Sequence, residues 1–266
     1  MSENTRGGWG LWIWAALVAV LLVAPLLAVV PISFSAKQSF TFPPSSLSLK
    51  WYENIVSSPR WWSAIGTSIL LGVLVMVICT LLGTAAALGI HRYPGRVGAV
   101  VTGILVAPMI IPGIVSAVAI YASYLRWHLT GNLQGFLLAH TVLALPFVVV
   151  TVLSSLSSTD PALERAAASL GAGAWRTFAR VTLPAIAPSV GAGALFSFVT
   201  SFDEVVAASF LQSPVIRTLP IEMFVSVTNQ VDPTIAAVST VILALTTMVV
   251  LLPVIVRNRR PKGASS

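Results

Sequence analysis

Six mostly apolar runs, five of them without a charged residue, recur along the chain, each near the ~20 residues that a helix needs to cross the hydrocarbon core of a bilayer. They lie near 11–32, 64–90, 97–125, 134–156, 188–211 and 234–256. Strands of a membrane barrel would instead alternate polar and apolar positions in runs of about 10 residues, and an open sheet edge finds no hydrogen-bond partner in lipid. The pattern predicts an all-α polytopic membrane protein with six transmembrane helices, forming a single transmembrane domain over 1–266. The first run is longer than the 7–15 residues of a cleavable signal core and lacks a small-residue cleavage site, so it is expected to remain as a span.

Breakers interrupt several runs. Pro108, Pro112 and Gly113 fall mid-span in the third, Pro146 in the fourth, and Gly191 with Gly193 early in the fifth. A break near mid-depth frees backbone groups that a neighbouring helix or a wet cavity must satisfy, which points the cluster at Pro108–Gly113 toward a permeation path. The other breakers are read as packing features. Between the runs, Lys and Arg favour one side. With a cytoplasmic N-terminus, the inner segments hold Arg6, Arg92, Arg96, Arg165, Arg176, Arg180, Arg257, Arg259, Arg260 and Lys262, against Lys37, Lys50, Arg60, Arg126 and Arg217 outside. The excess predicts both termini inside. The longest outer loop, 33–63, carries Trp51, Tyr52, Trp61 and Trp62, which suit an interfacial aromatic belt.

Composition agrees: 56% of the 266 residues are hydrophobic and 9% charged, with a mean hydropathy of +0.92, far from the roughly 25% charged residues of soluble domains. The net charge of +7 follows from the loop bias. No basic cluster is interleaved with stacking aromatics, so nucleic acid is not an expected partner. Cys79, the one cysteine, lies in an apolar run and reads as a small packing residue.

One stretch does not belong in lipid. From Asp160 to Pro184 the chain reads DPALERAAASLGAGAWRTFARVTLP. Asp160 can accept from free amides at a helix start, Pro161 suits the first helical position, Glu164 complements the dipole, and Gly171 fits a C-terminal cap. Leu163, Ala167 and Leu170 form an apolar stripe with Ala166 beside it. A second amphipathic piece sets Trp175, Phe178 and Val181 opposite Arg176 and Arg180, and Leu183-Pro184 is expected to turn the chain back to the membrane. Helices this short are marginal alone in water, so the hairpin needs a partner surface.

Glu164-Arg165-Ala166-Ala167, then Gly171 after three residues and Val181-Thr182-Leu183-Pro184 after nine more, resembles the EAA loop of permease subunits of binding-protein-dependent ATP-binding-cassette importers. Leu49-Lys50-Trp51-Tyr52-Glu53, Pro112 to Tyr121, His140 to Pro146 and Ser201-Phe202-Asp203-Glu204 extend the likeness along almost the whole chain and look like the spermidine/putrescine permease branch. The resemblance implies the type I importer permease fold and a coupling helix seated in a cytoplasmic ATPase. Asp160, Leu163, Glu164, Arg165, Ala166, Ala167, Gly171, Leu183 and Pro184 would carry that contact. Arg165 departs from the motif, which places a glutamate directly before the two alanines.

The chain has no phosphate-cradling GxxxxGK[ST] pattern, and His91, His128 and His140 lack metal-ligand spacing. No enzymatic constellation and no cofactor are expected here; ATP and magnesium would be bound by the partner ATPase. Asp203 and Glu204 are the only acids inside a predicted span. Intramembrane carboxylates cost about 2.5–3.5 kcal/mol on insertion scales and generally face a bundle interior or wet cavity. Asp203 is the preferred path-facing acid; a salt bridge to a partner permease is the structural alternative. The resemblance implies a polyamine solute, whose ammonium groups would suit these acids together with Tyr121, Phe198 and Phe202 through ion pairing and cation–π contact. Gly113 stands where several polyamine permeases carry an acid after the proline, which leaves another small organic or iron-bearing solute, such as an aminophosphonate or amino acid, open.

The family pairs two permeases, here expected to be a heterodimer, with two ATPases and an external solute-binding protein in the bacterial inner membrane. The segment from Glu222 to Asp232 would lie outside, either helping to seat the binding protein or simply solvated. Two rival classes remain at this level. An ion-coupled secondary transporter would use Asp203 or Glu204 for protons or sodium, and a scaffold subunit would use neither.

Overall fold

The computed structural model describes residues 8–229 and 232–258. Among these the chain is helical apart from loops and one isolated bridge, Ser35 to Leu47. In chain order the helices are α1 Gly8–Ser33, α2 Lys50–Ser57, α3 Pro59–Arg92, α4 Arg96–Ile110, α5 Gly113–Trp127, α6 Leu133–Ser158, α7 Pro161–Ser169 and α8 Ala174–Thr177. A π-helical turn, Phe178–Thr182, then leads into α9 Leu183–Phe202, followed by α10 Val206–Leu211, α11 Leu219–Asn229 and α12 Thr234–Asn258.

Four of these stretches are long and apolar enough to span a membrane: Trp9–Ser33, Pro59–Arg92, Leu133–Ser158 and Ala174–Phe202. The third predicted run is not one straight helix. α4 and α5 meet at a bend of 103° and count as a fifth span if the pair is taken as one. Pro112 has no amide donor, and the residue before a proline is pushed out of helical space; Ile111 accordingly sits at φ −71°, ψ 132°. The fifth predicted run begins earlier than expected, at Ala174, and ends at Phe202 rather than near residue 211. The sixth corresponds to α12, whose short apolar stretch is described over Thr234–Met248.

The chain forms two compact units. The first holds the described residues of 1–62 and 223–266. Here α12 packs against α1 and α2. Asn54 Nδ2 donates to Thr234 Oγ1 at 2.8 Å, and Arg60 pairs with Asp232 at 3.6 Å. Asp232 Oδ1 also accepts from the Thr234 amide at 2.9 Å and so caps α12. The 33–63 loop is tied down by its aromatic side chains. Trp51 Nε1 donates to the Ser35 carbonyl at 2.6 Å, Tyr52 OH and Ser33 Oγ lie 2.7 Å apart, and the Phe34 and Tyr52 rings meet at 5.3 Å. Trp61 is fully buried, and of the four aromatics proposed for a belt only Trp62 is exposed.

The second unit spans 63–222. Its centre is α6, which packs along α9 and against α4 and α10. Val148 of α6 is gripped from two sides: a Cβ on Gly83 of α3 would lie 2.8 Å from its Cβ, and one on Gly193 of α9 would lie 3.1 Å from its Cα. Small residues permit this approach, the usual basis of helix association in lipid. Gly193 thus has the packing role expected of it. Cys79 is buried with its thiol 3.5 Å from the Thr141 carbonyl, as befits a packing residue.

Candidate functional site: the hairpin and the break in the ninth helix

The hairpin forms as its caps dictate. Asp160 Oδ1 accepts from the Ala162 amide at 2.8 Å, with Pro161 opening α7. At the other end Gly171 adopts φ +80°, its amide bonds to Ala168 O at 2.9 Å, and the Ala172 amide bonds to Ala167 O at 3.0 Å. This pair of bonds is a Schellman closure, which calls for a left-handed residue at that position. Leu163, Ala166 and Leu170 are exposed, Leu170 at 88%, and Trp175 beyond the turn is 77% exposed. Ala167 is half-buried. Arg165 is exposed.

Two features escape the sequence reading. Glu164 Oε1 accepts from Thr182 Oγ1 at 2.5 Å, which ties α7 to the start of the spanning helix, and Thr182 is buried. No sequence pattern links two residues 18 apart, so only packing could reveal the pair. Second, Leu183-Pro184 does not turn the chain. The helix from Ala174 runs on through the π-helical turn into α9, and Ala174–Phe202 is continuous. The amide of Leu183 reaches back five residues to Phe178 O, and Pro184, which has no donor to give, follows directly on this π-helical turn.

The far end of α9 holds the predicted solute residues. Phe198 and Phe202 stack with ring centroids 5.7 Å apart and 22° between planes, as side chains four apart on a helix do. The helix stops at Asp203, whose amide still bonds Val199 O at 2.9 Å. Glu204 is occupied locally: its Oε1 accepts from the Ala207 amide at 2.6 Å and caps α10. The break thus splits the acids, with Asp203 exposed and Glu204 half-buried in a cap. Such a side chain-to-backbone bond competes with helix continuation, which is why the predicted run divides here. Tyr121 of α5 sits against Phe210 of α10 at 5.7 Å, not against the stacked rings at the end of α9.

Just before the break, His140 Nδ1 of α6 lies 3.0 Å from Ser201 Oγ and 3.1 Å from Ser201 O. Both residues are buried, so α6 pins the end of α9. The two acids read as an outer loop segment are also not solvated. Glu222 is fully buried and pairs with Arg217 at 3.5 Å, while Asp232 is buried in the cap of α12. The Asp232-Pro233 pair repeats the Asp160-Pro161 start signature, a signal that could have placed it.

A helical membrane chain with an amphipathic hairpin joined to one long spanning helix has the architecture of a transport permease. Residues 79–261 match the family described as binding-protein-dependent transport system inner membrane component, and the chain belongs to that family. It is 30% identical over 258 residues to the spermidine/putrescine transport system permease protein PotC of Escherichia coli (strain K12), covering 97% of this chain and 96% of that one. The putrescine transport system permease protein PotI of the same strain is 30% identical over 241 residues, 86% of this chain and 85% of that one. Among solved structures, a chain of a bacterial alginate ABC transporter in complex with alginate pentasaccharide-bound periplasmic protein superposes with a TM-score of 0.73 at 17% identity, covering 96% of each. A bacterial ABC transporter importing alginate gives 0.71 at 14%, covering 98% of this chain and 99% of that one. At these identities the structures establish the fold. The protein is therefore an inner-membrane permease of a binding-protein-dependent transport system.

Proposed function

We propose that this permease carries a polyamine inward, working beside a second, different permease, two ATPase subunits that hold ATP and magnesium, and an external binding protein that delivers the solute. Both termini lie in the cytoplasm. The observation that carries the reading is the near full-length identity to PotC and PotI, whose names specify spermidine and putrescine.

The geometry supports a simple route for force. α7, with Leu163, Ala166 and Leu170 outward, seats in the ATPase, and the bond from Glu164 to Thr182 makes the hairpin move with the helix it adjoins. That helix, Ala174–Phe202, has 29 residues and reaches roughly 43 Å at 1.5 Å per residue. Movement at the hairpin is thus delivered to Phe198, Phe202 and Asp203 at the other end. There Asp203 pairs with an ammonium group of the solute and the stacked rings flank its methylenes. Tyr121 contributes from α5.

The test is reconstitution of the four subunit types in vesicles with labelled spermidine and putrescine. Uptake is expected to require ATP, the ATPase and the binding protein, and to ignore a collapsed ion gradient. Uptake that persists without the ATPase and follows the gradient would establish a secondary transporter instead. Gly113, where an acid would add to a cationic path, favours a second solute class. A binding protein that is stabilised by an aminophosphonate, amino acid or iron chelate, and not by polyamines, would overturn the substrate while leaving the importer intact.

A further inference from the structure

The turn joining α3 to α4 carries a feature that solute transport does not use. An open groove of about 300 Å³ runs between the two helices there, lined by Ala86, Gly89, Ile90, Tyr93, Val97 and Val101. Glycines shape it. Gly95 takes φ +106°, and a Cβ on Gly98 would lie 2.7 Å from the Tyr93 carbonyl, so α4 starts pressed against the turn. Gly89 opens the groove itself, since a Cβ there would meet nothing within 4 Å. Apart from Tyr93 the walls are aliphatic, and the residues next to them in the chain are basic: His91 and Arg92 follow Ile90 at the end of α3, Arg96 precedes Val97 at the start of α4, and all three are exposed. Among the described residues neither arginine has an ion-pair partner, and the sequence holds no acid between Glu53 and Asp160.

We infer that this groove binds one anionic phospholipid, an acyl chain lying along Ala86, Gly89, Ile90, Val97 and Val101 and the phosphate meeting Arg92 and Arg96. The chemistry selects the occupant. An apolar trough flanked by unpaired arginines, between the end of spanning α3 and the start of α4, matches a molecule that is apolar for most of its length and negative at one end. A protein chain seated there would have to bring its own acids or bury two uncompensated guanidinium groups, which is costly. A zwitterionic lipid fills the trough but returns no net charge to the rim.

Purified full-length chain in detergent, given phosphatidylglycerol or phosphatidylcholine, tests this by native mass spectrometry and thermal melting. One phosphatidylglycerol should be retained and raise the melting temperature, with phosphatidylcholine held far less. Arg92→Gln with Arg96→Gln should weaken retention about 30-fold, the factor expected from two basic groups near an anionic surface. Gly89→Leu, which fills the trough while keeping the charge, should also lose the lipid yet melt normally without it. Glycerol 1-phosphate, a headgroup without a chain, should give no shift. Equal retention of both lipids, undiminished binding by either variant, a shift with glycerol 1-phosphate alone, or a disulfide trapped between two chains through Gly89→Cys would each overturn the site.

Discussion

Asp203 and Glu204 stand side by side in the chain and do different things. Glu204 spends a carboxylate oxygen on the Ala207 amide, a bond that a neutral amide oxygen can also make. Glu204→Gln is therefore expected to leave uptake within about twofold of the parent, whereas Glu204→Leu loses the cap and about 1 kcal/mol of stability, read by thermal melting. Asp203 has no such local task, and Asp203→Asn should cut polyamine uptake about tenfold or more, the equivalent of roughly 1.4 kcal/mol, at unchanged subunit level. Equal effects of the two amide variants would refute the division. The same logic applies to the hairpin. Gly171→Val forces a branched side chain into φ +80°, a cost of about 1–2 kcal/mol, and should weaken co-purification of the ATPase while the spans still fold. Asp160, Pro161 and Gly171 were legible because each acts on backbone within a few residues. Glu164 with Thr182, and Glu204 as the cap of α10, were not, because both depend on where the helix ends.

At the scale of elements, helix identity followed from apolar length, and helix continuity did not. The proline cluster predicts a break in the third run, and the structure shows that break as a 103° bend. Pro112→Ala restores a donor and frees Ile111 to become helical, so the two ends of α4 and α5 should move apart, measurable as a longer spin-label distance between Val97 and Leu125 replaced by cysteine. Close helix contacts make a second prediction. Gly83→Leu drives a side chain into Val148 and should cost about 1–3 kcal/mol. Gly66→Leu on the same helix, where a Cβ would meet nothing within 4 Å, should stay within about 0.5 kcal/mol. The melting temperatures of the two variants decide it. Which glycines pack cannot be read from the chain, since Gly83 and Gly66 differ only in what lies opposite.

For the whole molecule, the hydropathy pattern and the excess of basic residues on one side predict the topology directly. Replacing Cys79 with alanine removes the one thiol, and single cysteines then report sidedness. Ser45→Cys in the outer loop should react with a membrane-impermeant maleimide in spheroplasts, and Ser169→Cys in the hairpin only after permeabilisation. The reverse pattern would invert the chain and remove the hairpin from any cytoplasmic ATPase.

Sequence alone therefore determined that the chain is helical and membrane-embedded, that a capped helix at Asp160–Gly171 opens an amphipathic hairpin, and that its motifs are those of an importer permease. Those properties rest on hydropathy summed over about 20 residues and on hydrogen bonds between near neighbours. The tertiary structure decided the rest: a spanning helix that begins at Ala174 and stops at Phe202, the tie from Glu164 to Thr182, the grip on Val148, and the burial of Glu222 and Asp232. Each of these depends on which distant surfaces meet, and a close-packed interior fixes that only once all the helices are in place.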